Sequence, residues 1–331
     1  MSAAVALARK GVRRDTIDSA RRHGWTLGLL GLLVVLFLFT RFIQPSYGVA
    51  GVQGLGISVL PLALAAVAQA VVVLAGGIDL SIGSMMALTS VVSATLMKGQ
   101  SDEFAIVVVI GTLLLGLALG AVNGALVVVT KVPDIVVTLA MSFVWAGSAL
   151  IVRSAPGGGA AEWLKDLVSG PLGNEWIPKA TVIMLVIVAV VWLPLARSKL
   201  GMSLYAIGSN RLAAFRSGVA VDRTRVASYV LTGLFSALAG LSLTATTGVG
   251  TPVPGPYTLL SVAAVVLGGV SLAGGRGGLF GPVIAVVVLQ LIRTDLTFLN
   301  VNTNLALVAQ GIILIAVVMF GSWFEMRRAR R

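Results

Sequence analysis

Residues 73–90 read VLAGGIDLSIGSMMALTS. Asp79 is the only charge in this stretch, and apolar sequence extends from both of its ends. An ionised carboxylate at the centre of a membrane span costs about 2.5–3.5 kcal/mol on insertion scales. The stretch is therefore either a solvated turn or a working break inside a membrane domain. What surrounds it decides the class of molecule.

The 331-residue chain is 57% hydrophobic and only 11% charged, against about 25% charged residues in an ordinary soluble domain. Its mean hydropathy is +1.01. Apolar runs recur that are each long enough to cross a hydrocarbon core of about 30 Å. Ten spans fit, near 25–43, 51–73, 80–98, 104–128, 133–152, 179–196, 226–247, 257–273, 278–293 and 304–322. The fold class expected is an all-α polytopic membrane protein. It has about ten transmembrane helices, with broken or short helices around two glycine-rich motifs. The run 25–43 is too long for a signal-peptide core and lacks a small-residue cleavage site, so no cleavable signal is expected.

The net charge of +12 sits mostly in three places. Arg9, Lys10, Arg13, Arg14, Arg21 and Arg22 precede the first span. Arg197, Lys199, Arg211, Arg216, Arg223 and Arg225 share a central loop. Arg327, Arg328, Arg330 and Arg331 close the chain. The positive-inside rule puts all three in the cytoplasm, and an even span count agrees. The basic excess thus marks orientation against anionic lipid and not a nucleic-acid partner. The expected organisation is a cytoplasmic tail (1–24), a ten-span domain (25–322) and a basic cytoplasmic tail (323–331). Within the domain, an external loop (153–178) carries Trp163 and Trp176 in short amphipathic structure, and a cytoplasmic loop spans 197–225.

Enzyme chemistry has little to work with. There is no Cys, and the only His, His23, lies in the N-terminal tail. No His pair or carboxylate cluster offers a metal site. Gly-Lys never occurs, so no phosphate-binding GxxxxGK[ST] loop exists. No catalytic residue, metal or cofactor is expected on this chain, and any ATP-Mg would be bound by a partner.

The second broken place is VVLGGVSLAGGRGGLFGPV, 265–283. GGIDLSIG (76–83) parallels GGVSLAGG (268–275), four identities in eight. Glycine-interrupted apolar segments in both halves point to transporter binding sites. The candidate path residues are Gly76, Gly77, Asp79, Ser81, Ser84, Asn123, Gly268, Gly269 and Ser271. Asp79 fits two roles: a helix N-cap with Ser81 and Ser84 helping, or a polar group at a buried break facing a cavity. Asn123 fits either the path or a bond to a neighbouring helix, and Gln69, Gln290 and Gln310 share that ambiguity. Gly116, Gly120 and Gly124 have the spacing of helix-packing glycines. In 205–219, Leu212, Ala213, Phe215 and Val219 form a small apolar face among basic residues. That face suits a helix on anionic lipid or a docking helix for a cytoplasmic partner.

Taken together, GGIDLSIGS, NGALV, VPDIVVTLAM, LYAIGSNRLAAFRSGV, FSALAGL and AAVVLGGVSLAGGRGGLFGPV, running in order through about 50–320, resemble the permease subunits of bacterial ribose/xylose/galactose-type ATP-binding-cassette importers. The resemblance implies an inner-membrane subunit that forms the path with a second permease, identical or not. It also implies a cytoplasmic ATPase and a periplasmic or lipoprotein sugar-binding protein. It assigns the ATPase contact to the loop of Ile207, Gly208, Ser209, Asn210, Arg211, Ala213, Ala214, Arg216, Ser217 and Gly218. One departure stands out: where relatives carry a Glu-Leu-Asp pattern, this chain has Thr258 and Leu260. The alternative function is an ion-coupled secondary transporter acting alone.

Overall fold

The computed structural model describes residues 25–302 except 254, together with isolated positions from 305 to 319. The tail 1–24 with its basic residues and His23, Gln310, most of the span 304–322 and the tail 323–331 lie outside the described residues.

The chain is all-α in the sense expected, a helical membrane bundle with one small hairpin. Among the described residues seven helices are long and apolar enough to cross a membrane. These are α1 (Trp25–Ile43), α2 (Val49–Leu74), α4 (Asp102–Thr130), α5 (Asp134–Val152), α7 (Lys179–Arg197), α10 (Val221–Thr247) and α12 (Phe280–Phe298). Two apolar helices are shorter than the spans expected at 80–98 and 257–273: α3 (Ile82–Met97) and α11 (Tyr257–Leu267). At 1.5 Å per residue they reach about 24 and 16 Å, less than a full crossing of about 30 Å. The glycine-rich segments consume the missing length.

Burial sorts the helices. In α2 89% of the apolar window is covered by the bundle, whereas in α1 the figure is 11% and in α5 17%. α2 is thus the central column, and α1 and α5 present most of their surface to the surroundings. α4 and α10 lie backbone to backbone. A methyl group on Gly116, Gly120 or Gly124 would strike Gly233, Tyr229 or Val226 of α10, the close approach that small residues permit.

The external loop folds as α6 (Glu162–Val168) and an antiparallel pair, β1 (Pro171–Leu172) with β2 (Asn174–Pro178). Gly157 and Gly250 exchange backbone hydrogen bonds, and Gly159 N–H donates to Ala94 O, so this loop covers the ends of α3 and α10. The loop after α7 forms α8 (Lys199–Ser209) and α9 (Arg211–Arg216). Their N-caps are Ser198, which accepts from Gly201 N–H, and Asn210, which accepts from Ala213 N–H; side-chain oxygens at these positions satisfy donors the helix leaves open.

Candidate functional site

Both glycine-rich breaks end a helix in the same way. After α2, Gly76 takes φ +79° and donates to Val73 O, while Gly77 donates back to Val72 O. After α11, Gly269 takes φ +79° and donates to Val266 O, while Val270 donates to Val265 O. This paired pattern is the Schellman cap, which needs a left-handed residue, usually glycine, just past the helix. The match is displaced by one from the sequence parallel: Gly76 corresponds to Gly269, not Gly268. Gly268 instead lets α12 approach, because a methyl there would meet the Gly281–Pro282 backbone.

Past Gly77 the chain turns inward. Asp79 is fully buried. Its Oδ1 accepts from the Ser81 N–H at 2.7 Å and the Ser81 hydroxyl at 2.6 Å. Asn123 on α4 donates its amide to Ser81 Oγ at 2.7 Å, and Trp145 on α5 donates its indole N–H to Asn123 Oδ1 at 3.2 Å. Four side chains thus form one line from α5 through α4 to the break. Among the described residues the second carboxylate oxygen, Asp79 Oδ2, has no hydrogen-bond partner, an exception among buried polar atoms. The cap expected of Asp79 takes a different form: Ser81 holds the N-cap position of α3 without a side-chain cap bond. The Gly83 N–H donates to Thr258 Oγ1 of α11 at 3.0 Å, and Ser84 donates to Ser81 O at 2.8 Å.

α5 clips the break from outside. Thr138 Oγ1 accepts the Leu80 N–H at 3.0 Å. Asp134, in the first turn of α5, accepts from the Arg225 guanidinium at 2.5 Å and from the Tyr229 hydroxyl at 2.8 Å. Arg225 therefore belongs to the bundle and not to a solvated loop. Gly77 packs beneath this group, since a methyl there would stand 2.6 Å from Asp134 Oδ2.

The structure brings Asp79, Ser81, Ser84 and Asn123 together. Gly268, Gly269 and Ser271 belong elsewhere: Gly269 lies against Trp25, whose indole N–H donates to Leu267 O, and Ser271 closes its own turn with Arg276. Trp145, Thr138 and Tyr229 escape a motif search. Only Trp145 carries a signal, since an indole N–H inside an apolar span needs an acceptor. Gln69 is buried with neither amide atom bonded among the described residues, and Gln290 donates to Ser58 O.

On α9 the exposed large apolar side chains are Leu212 and Phe215, flanked by Arg211 and Arg216. Ala213, Ser217 and Gly218 share this outer surface. Ala214 and Ile207 face inward and pack with Val221. Among the described residues no group of three or more His, Asp or Glu side chains is placed to hold a metal.

A bundle of apolar helices interrupted at two capped breaks, with a polar line buried at one of them, defines a membrane transport permease. Residues 52–318 match the family described as the permease component of a branched-chain amino acid transport system, and the chain belongs to that family. It is 33% identical over 264 residues to the ribose import permease protein RbsC of Escherichia coli, covering 78% of this chain and 81% of the relative. It is 32% identical over 249 residues to the D-allose transport system permease protein AlsC of E. coli, covering 74% and 75%. It is 31% identical over 315 residues to the autoinducer 2 import system permease protein LsrD of E. coli, covering 90% and 92%. No solved structure matches the chain. The chain is a multi-pass inner-membrane permease and not an enzyme. As permease components, such chains work with an ATPase and a solute-binding protein.

Proposed function

We propose that this chain forms, with a second permease subunit, the import path for a monosaccharide or similar polyol. Its N- and C-termini and the 197–225 segment face the cytoplasm, and 153–178 faces outward. The observation that carries the reading is the buried Asp79–Ser81–Asn123 line with its unpartnered carboxylate oxygen. A neutral, hydroxyl-rich solute offers donors to such an oxygen, and hydroxyl and amide groups both give and accept hydrogen bonds. The likeness to the ribose, D-allose and autoinducer 2 permeases supports the same solute class. The site is expected to bind weakly, with selectivity supplied by the binding protein. The outer surface of α9, with Leu212 and Phe215, meets the ATPase.

The test is to identify, by mass spectrometry, the solute held by the binding protein that co-purifies with this chain, and to compete uptake with pentoses, hexoses and leucine. A sugar or polyol is expected. Competition by leucine alone sinks the reading.

A further inference from the structure

Three segments far apart in the sequence cross at one point, and each supplies a glycine there. Gly76 ends α2, Gly208 is the penultimate residue of α8, and Gly274 and Gly275 lie in the turn that follows α11. A methyl on Gly208 would collide with Leu74 O and the Gly275 nitrogen. A methyl on Gly274 would stand 2.8 Å from Gly76 Cα and 2.9 Å from Gly208 Cα. The Gly275 N–H donates to Leu74 O at 3.0 Å. One turn before Gly208, the Tyr205 hydroxyl donates to Gly277 O at 2.9 Å.

α8 is therefore tied to both helix breaks through backbone. A side chain at such a crossing would rotate and absorb a displacement, but bare backbone in van der Waals contact passes it on. Gly76 stands three residues before Asp79, so movement of α8 displaces the end of α2 and the polar line beyond it. The turn 268–278 is displaced by the same movement. Packed crossings of this kind turn small shifts at one site into rearrangements at another.

We propose that Gly208 is the positioning residue that carries motion between the 197–225 segment and both glycine-rich breaks. The proposal rests on the reading of that segment as the ATPase-facing one. It assigns to α8, not to the outward-facing α9, the task of transmission. Gly208 is a glycine because three backbones meet there.

The test uses the assembled transporter in proteoliposomes, with its ATPase and with the binding protein purified carrying its own solute. The readouts are ATPase retained on pull-down, basal ATP hydrolysis and the ratio of binding-protein-stimulated to basal hydrolysis. In Gly208→Ala the stimulation ratio is expected to fall about tenfold, within the usual range of coupling between distant sites. Tyr205→Phe, which adds no bulk, is expected to lower the ratio about threefold, the worth of one hydrogen bond. Gly278→Ala lies in the same turn with open space around it and is expected to match wild type. A wild-type ratio in Gly208→Ala overturns the inference. If Gly208→Ala fails to assemble, Tyr205→Phe decides: a wild-type ratio overturns the inference and a lowered one supports it. A wild-type chain that recruits no ATPase overturns the reading of the segment and the inference with it.

Discussion

The hydroxyl of Thr258, at the start of α11, accepts the Gly83 N–H in the first turn of α3, 175 residues away. The two short helices, one from each half of the chain, are thus joined by a helix cap supplied from a distance. A neutral hydroxyl oxygen here serves as the acceptor. Thr258→Val removes the oxygen and keeps the shape. It is expected to lower stability in detergent by about 1 kcal/mol, the usual worth of an N-cap, while Thr258→Ser stays near wild type. Thermal unfolding of the three proteins checks this, and equal stabilities would refute the cap.

Asp79→Leu is expected to abolish uptake while the permease still assembles with its ATPase. Asp79→Asn keeps one acceptor for the Ser81 N–H and is expected to retain part of the rate. Uptake near the wild-type rate in Asp79→Leu would reduce Asp79 to a dispensable brace.

Asn123→Leu leaves the Trp145 indole N–H without its acceptor and the Ser81 hydroxyl without its donor. A stranded buried donor costs about 1–3 kcal/mol. The double change Asn123→Leu/Trp145→Phe removes both partners and is expected to recover part of that stability. Additive losses in the double-mutant cycle would mean that the two side chains do not interact.

Arg225→Ala leaves the Asp134 carboxylate in a site where its side chain is only 15% exposed. Breaking a buried pair costs about 3–5 kcal/mol, so this variant is expected to express poorly. By contrast Arg223→Ala, at an exposed position beside it, is expected to be mild. Comparable membrane yields for the two would refute the structural role of Arg225.

The orientation of Ala214 changes how docking is probed. Because Ala214 packs inward with Ile207 and Val221, Ala214→Trp overpacks the loop itself. The informative variant is Phe215→Ala, on an exposed side chain between Arg211 and Arg216. It is expected to weaken ATPase pull-down, as loss of a central aromatic contact does at protein interfaces. Reporter fusions at Ser169 and Ala213 are expected to report opposite sides of the membrane.

Sequence alone determined the membrane class, the two broken places, the packing glycines of α4 and the family. All of these follow from local quantities: hydropathy over a window, glycine spacing, charge in loops and short motifs. The tertiary structure decided the rest. It set Gly76 against Gly269 in place of Gly268, because a cap is defined by φ and by backbone hydrogen bonds, which two GG pairs do not distinguish. It turned Ala214 inward and Phe215 outward, since a six-residue helix such as α9 is too short for periodicity to orient it. It joined Asn123 to Ser81 across 42 residues and Thr258 to Gly83 across 175. A hydrogen bond depends on where two helices cross, and no pattern local to either helix encodes that crossing.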